Sequence, residues 1–294
     1  MCDCDNVFLT LLIFLEVGKM KKVLVLLMVA TLALSVNADL LHRYDFETDA
    51  SDSVGTADGA VYGSASITGG GLYSGGGWIL GQLSGGVPRN GVGLPASAVS
   101  GITGAFTIEC WLKTPFGGGY TTAFSFSDGT ISNYVLATPA RGNSPYASSI
   151  SVIGGGGPAS ELQASGRWFD TDELLQMIVT FDGTTLTYYQ NTETDYAGFN
   201  TTNGLSASIN VAGLNLSTLT QIGVNGGAPW PDNSMAGYVY DFRIYDNAFS
   251  ASQVAALYAL GPDAANEDIA AVIPEPATML LLGLGSLISL RKRN

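Results

Sequence analysis

Short apolar–polar alternations recur along this chain about every eight to twelve residues, each fenced by Gly, Asn, Asp or Pro. The clearest runs are Leu40–Phe46, Phe106–Lys113, Thr121–Ser127, Asn133–Thr138 and Ser148–Ile153. Leu174–Phe181, Leu186–Gln190, Leu219–Val224 and Tyr238–Tyr245 follow. Successive side chains on a strand point to opposite faces, so runs of this kind bury one face and wet the other. Many short strands at such spacing predict an all-β sandwich or barrel. Asp182-Gly183 between two of the runs reads as a hairpin turn. One helix is expected after the last strand. Ser250-Ala251-Ser252-Gln253 has the capping-box pattern, Val254, Leu257 and Tyr258 follow at helical spacing, and Gly261-Pro262 ends it. Cys110 alternates with Phe106, Ile108 and Leu112, which predicts a small core residue, and Trp111 falls on the opposite face.

The two ends read as targeting segments. From Met20, Lys21-Lys22 gives a positive start and Val23 to Leu34 an apolar run, followed by small residues in Val36-Asn37-Ala38. This is the order of a secretory signal, with cleavage expected after Ala38 and translation from Met20. The other end runs Pro274-Glu275-Pro276, an apolar stretch from Ala277 to Leu290, then Arg291-Lys292-Arg293. Fourteen apolar residues at ~1.5 Å each reach about 21 Å, short of a ~30 Å hydrocarbon core. The terminal basic cluster favours the cytoplasmic side. The segment suits a transient stop during export, with a plain membrane anchor as the alternative at either end. Pro274-Glu275-Pro276, the apolar helix and Arg291-Lys292-Arg293 together resemble the PEP-CTERM sorting tail of Gram-negative bacteria. That resemblance implies processing by an exosortase-type protease, after signal peptidase at the other end, and display at the cell surface or in the extracellular matrix, often beside exopolysaccharide.

Between the ends, several segments resemble one family in order. They are His42-Arg43-Tyr44-Asp45-Phe46, the Asp52 to Gly59 loop, Phe106 to Lys113, the hairpin Val179 to Tyr189, and Gly237 to Ser250. The match is to the laminin-G-like branch of the concanavalin-like lectin/glucanase fold. It implies a two-sheet antiparallel jelly-roll sandwich with one short C-terminal helix. The expected layout is a signal at 1–38, the sandwich at 39–261, an acidic alanine-rich linker at 262–272 and the sorting tail at 273–294.

Charge and residue types narrow the function. Between residues 39 and 273, 21 Asp and Glu face six Lys and Arg, a field that repels phosphate backbones and argues against nucleic acid. Cys2 and Cys4 precede the cleavage site, so an internal disulfide is not expected. His42 is the sole histidine, so Ser-His-Asp or Cys-His catalysis would have to use it, and a zinc site of several His or Cys ligands is excluded. Hydrolases on this fold place three acids as E-x-D-x-E on one strand face. The nearest run here, Glu193-Thr194-Asp195, has Ala197 in the third place, so no catalytic residue is expected.

Binding chemistry fits better. Flat rings stack on the apolar faces of sugars, and Trp230, held by Pro229 and Pro231 beside Asp232 and Asn233, is the expected contact, with Trp78 as a second. Some relatives of the family bind calcium on rim loops. The matching segment here, Leu72 to Trp78, has no carboxylate, which leaves Asp52, Asp58, Asp128 and the Asp232-Asn233 pair as loop ligands for such a site or as turn formers. The expectation is an exported, noncatalytic module that binds glycan or matrix polymer. A polysaccharide hydrolase or lyase and a purely structural envelope component are the alternatives.

Overall fold

The computed structural model describes residues 40–76, 90–100, 102, 104–114, 120–128, 130, 132–139, 148–163, 173–192, 205–211, 214, 216, 219–223 and 233–273. Residues 39–273 form one compact unit. Both targeting segments, with Pro274, Glu275, Pro276, Arg291, Lys292 and Arg293, lie outside the described residues, as does Glu193-Thr194-Asp195. Among the described residues no helix is long and apolar enough to cross a membrane.

Two antiparallel sheets face one another. The larger runs β14 (Leu205–Asn210), β13 (Thr185–Thr192), β12 (Leu175–Phe181), β6 (Phe106–Lys113), β17 (Tyr238–Tyr245), β4 (Leu72–Tyr73) and β3 (Ser66–Ile67). The first strand, β1 (Leu40–Tyr44), shares one edge of β17 with β4. The second sheet runs β11 (Ser160–Gln163), β10 (Ser149–Ile153), β9 (Tyr134–Thr138), β8 (Phe124–Ser127), β15 (Leu219–Ile222), β5 (Gly91–Leu94) and β2 (Ala60–Tyr62). A short parallel pair joins β7 (Thr121–Thr122) to β16 (Asn233–Ser234).

Alternation decides which faces meet. Phe106, Ile108, Cys110 and Leu112 of β6 and Leu175, Met177, Val179 and Phe181 of β12 all point into the core. Phe124 and Phe126 of β8 face them from the other sheet, with the Phe242 ring at 5.5 and 6.0 Å from these two. Burying this many large apolar side chains, at about 1.5–3 kcal/mol each, supplies the main drive to fold. Cys110 is a free thiol in that core, as its alternation requires.

Most of the expected strands form within a residue or two of their predicted ends. Phe106–Lys113 and Tyr238–Tyr245 form end to end. The first strand stops at Tyr44 because Phe46 turns to a φ of 52°, a strain held in place by burial of its ring. Thr121–Ser127 is broken at Ala123, where the chain passes from β7 into β8. At the hairpin, Asp182 Oδ1 accepts from the Thr184 and Thr185 amides at 2.9 and 2.7 Å. Gly183 supplies the φ of 97° that the turn requires.

The C-terminal part departs from expectation. Helix α1 (Ser97–Ser100) is a single turn, and α2 (Ala251–Leu260) begins on a complete Ser250/Gln253 capping box. The stretch 262–272, expected as a linker, instead contains α3 (Asn266–Val272) and belongs to the compact unit. Ile269 and Ile273 are buried, and that burial holds α3 in place although no side chain caps its start.

Candidate functional site

The outer face of the larger sheet carries two adjoining surfaces. One is a buried polar network on β1, β6, β12 and β17, covered by α2 and the chain that leads to α3. Glu109 Oε1 accepts from Trp111 Nε1 and Gln176 Nε2, both at 2.7 Å. Its Oε2 accepts from Arg243 Nη1 at 3.2 Å and the Tyr245 hydroxyl at 2.7 Å. Asp241 Oδ2 takes both guanidiniums, from Arg243 Nη2 at 2.7 Å and Arg43 Nη2 at 2.8 Å. The two arginines then reach backbone carbonyls of the covering segment. Arg243 Nη2 donates to Pro262 at 2.7 Å, and Arg43 Nη1 donates to Ala264 and to Asn266 Oδ1 at 2.8 Å. Tyr258 of α2 stacks on Trp111 at 5.6 Å with 6° between the planes.

Two acids and two arginines cancel within this cluster. Burial pushes the Asp241 carboxyl up to about 6, against the pull of Arg243 and Arg43. Burial likewise raises the Tyr245 hydroxyl, which stays a donor to Glu109. Glu109 and Asp241 are the acids that adjacent strands place on one face, yet both are fully buried and hold arginine. A catalytic pair must reach a glycosidic oxygen and a water. Buried under the helices, these acids are placed as structural anchors.

Farther along the same face lies a row of partly exposed side chains. Register places Tyr73 of β4, Tyr238 of β17 and Lys113 of β6 in one row across three strands, with Ser66 of β3 continuing it. The Tyr73 and Tyr238 rings are 5.2 Å apart, and Tyr238 and Tyr240 stack at 6.1 Å with 23° between planes. A bulge between Val239 and Asp241 makes room for Tyr240 beside the row. Tyr238 is 37% exposed, and Tyr73, Tyr240 and Lys113 are half-buried. A Cβ built on Gly237 would collide with the Lys113 carbonyl, so glycine there lets β17 enter tight against β6 and fixes Tyr238 over the row. Sequence reasoning missed these tyrosines. Alternation alone groups Tyr238 and Tyr240 with the core residues Phe242 and Ile244, and nothing local showed the bulge that turns Tyr238 outward.

The expected ligand residues divide. Trp230, Asp232 and Trp78 lie outside the described residues. Asn233 opens β16, where its amide donates to the Tyr120 carbonyl at 3.2 Å, and Tyr120 is 46% exposed. The loop acids act on their own loops. Asp52 Oδ1 accepts from the amides of Arg43 and Gly55 at 3.1 and 2.9 Å. Its Oδ2 accepts from the Ala57 amide at 3.0 Å and faces His42 Nδ1 at 2.5 Å. Asp58 Oδ1 accepts from the Asp52 amide at 2.9 Å. Asp128 is held by Thr130 and Asn133 on the β8–β9 hairpin. Among the described residues no three His, Cys, Asp or Glu side chains converge to hold a metal. Calcium at Asp52, Asp58 and Asp128 stays an expectation from the sequence. Asp52 and Asp58 accept from N–H donors within one loop, and Asp128 accepts from Thr130 and Asn133 in another.

Asp52 offers a direct test. Its burial opposes ionisation, but the Gly55, His42, Ala57 and Arg43 donors win and hold its pKa below the usual carboxylate value. Asp52→Ala is expected to lower stability by about 1–3 kcal/mol, since several amides lose their acceptor, and thermal melting checks this. A folded pKa below the unfolded one gives stability that is present at neutral pH and lost as pH falls through the folded value. The deficit of the variant should thus shrink below about pH 4.

Comparison with known proteins accords with this architecture. Domain 4 of AbnA, a GH43 extracellular arabinanase from Geobacillus stearothermophilus, solved in complex with arabinotriose, is similar at 19% identity and a TM-score of 0.50. The match covers 75% of this chain and 98% of that domain. The receptor-binding domain of botulinum neurotoxin mosaic serotype C/D is similar at 11% identity and a TM-score of 0.50, over 76% of this chain and 51% of that one. These likenesses show a shared fold. A search of curated proteins found no match. Residues 272–293 match the PEP-CTERM protein-sorting motif, which marks the chain for export and surface sorting. Residues 84–255, more than half of the sequence, match the family Laminin_G_3, so this chain belongs to the concanavalin A-like lectin/glucanases superfamily.

Proposed function

We propose that this protein is a surface-displayed, noncatalytic binding module that holds a glycan or extracellular matrix polymer against the Tyr73–Tyr238–Tyr240 row. The observation that carries the reading is a partly exposed tyrosine row on the outer face of the larger sheet, beside acids that are buried and neutralised. Tyrosine rings give large contact area with little entropy to lose, and sugars present C–H faces that match them. The arabinanase domain of the same fold, solved with arabinotriose, supports a saccharide as the ligand. The sorting tail supports display outside the cell, after processing by signal peptidase and an exosortase-type protease. Trp230, Asp232, Asn233 and Trp78 are proposed as further ligand contacts on the strength of the sequence.

The test is a polysaccharide panel. Tyr238→Ala and Tyr240→Ala are each expected to weaken binding by about tenfold or more, the cost of losing an aromatic anchor. Tyr238→Ala should change the melting temperature little, because that ring is exposed. Unchanged affinity in both variants would move the site elsewhere, and a panel with no binder would sink the binding reading.

A further inference from the structure

The tyrosine row has a charged end. Lys113 lies directly across from Tyr238 in the β6–β17 register, on the same outer face as the row. Among the described residues the Lys and Arg side chains are Arg43, Lys113 and Arg243, and both arginines are committed to the buried network. Lys113 makes no ion pair or side-chain hydrogen bond among the described residues. The acids nearest in register on this face are Glu109, four residues before Lys113 on β6, and Asp241, opposite Trp111. Both are already matched by guanidiniums. An ammonium with unspent donors therefore stands at the edge of a stacking surface, on a chain whose formal net charge is −13.

We infer that the row selects acidic polysaccharide, with Lys113 receiving the carboxylate of a uronic acid residue while a neighbouring pyranose lies on Tyr238 and Tyr240. This rests on the glycan-binding reading above and names its ligand class. An ammonium–carboxylate contact is a charge-assisted hydrogen bond, about twice as strong as the neutral bond that a sugar hydroxyl would make. The rest of the chain is acidic and repels such a polymer at long range. At physiological ionic strength the Debye length is about 8 Å, so distant carboxylates are screened while a contact at Lys113 is not. The two effects oppose each other in salt. Binding should rise as salt is added from very low concentration, pass through a maximum and fall again at high salt.

The experiment compares polygalacturonate with its methyl-esterified form, the same chain with its carboxylates masked, using the purified full-length protein. At physiological salt the acid form is expected to bind about tenfold more tightly. Lys113→Gln should bring the ratio of acid to ester affinity close to one, and Lys113→Arg should keep it high. Melting curves report whether the variants are folded, and the affinity ratio is internal to each protein. Equal affinity of the parent for both polymers, or an unchanged ratio in Lys113→Gln, overturns this inference and leaves the glycan-binding reading intact. No binding of either polymer, with a neutral polysaccharide bound through Tyr238, also overturns it. No binding of any polysaccharide overturns both.

Discussion

Arg243→Ala is expected to destabilise the domain by about 3–5 kcal/mol, the cost of stranding buried charge when one partner of a desolvated pair is removed. Arg243 is fully buried and touches both Glu109 and Asp241, so its loss leaves two carboxylates for the single guanidinium of Arg43. It also leaves the Gly261 and Pro262 carbonyls with fewer donors. Against a typical total stability of about 5–15 kcal/mol, this is a large fraction. For a domain of this size it corresponds to a fall of roughly 10 °C in Tm. Adding Glu109→Gln to the alanine variant should recover part of the loss, because one stranded charge is removed with its partner, and a double-mutant cycle measures that coupling. An alanine variant that melts within two or so degrees of the parent would show that water reaches the network.

The pH dependence follows from the same residues. The Asp241 carboxyl is raised by burial to about 6 in the folded protein, above its ordinary value of 3.8. The folded state therefore binds more protons between these values. The stability this gives is fully present below about pH 4 and is lost as pH rises through about 6. Asp52 and Asp128 have lowered values and act in the opposite sense, favouring the fold at neutral pH and releasing it in acid. Maximum stability is expected in mildly acid solution, about pH 4–6. Removing Arg243 takes away an attraction that favours ionised Asp241, so the alanine deficit should be larger at pH 7.5 than at pH 5.

A chain ended at Gly261 is the second large expected loss. It would keep every strand and α2 but remove Pro262, Ala264 and Asn266, which accept from Arg43 at 3.0, 2.8 and 2.8 Å. It would also remove the buried Ile269 and Ile273. Two apolar side chains at about 1.5–3 kcal/mol each, together with unsatisfied guanidinium donors, put the total at several kcal/mol. Comparing proteins ended at Gly261 and at Ile273 by urea denaturation measures it directly. Similar midpoints would return 262–272 to the status of a linker. The segment leads straight into the sorting motif at 272–293, so the chain that anchors the domain is also the chain that carries the sorting tail.

The sequence was most informative where structure is local. Period-two alternation gave the extent of Tyr238–Tyr245, and it gave Phe106–Lys113 with its facing, Cys110 inward and Trp111 outward, because strand geometry alone sets which side chains share a face. The Ser250 capping box likewise forms as read, since its partners are three residues apart. The short strands β2 to β5 gave no such signal. Runs of two to four residues carry too little periodicity to stand out, and they are strands only because a neighbour pairs with them.

Helix α3 was missed for a related reason. Its acidic, alanine-rich sequence has no capping side chain, and only burial of Ile269 and Ile273 against the domain distinguishes it from a linker. The candidate site lay further from view. Arg43 and Asn266 stand 223 positions apart in the chain, and their meeting depends on β1 joining the edge of β17. Strict alternation would place Tyr238 with Phe242 and away from Arg243, and the bulge between Val239 and Asp241 returns it to the face of Arg243. Which of them is dry and which is wet depends on where the C-terminal helices stop. Fold class, the C-terminal sorting motif and most strand facing follow from short-range pattern. The charged anchor and the partly exposed tyrosine row exist only because folding brings distant strands side by side and then covers part of one sheet.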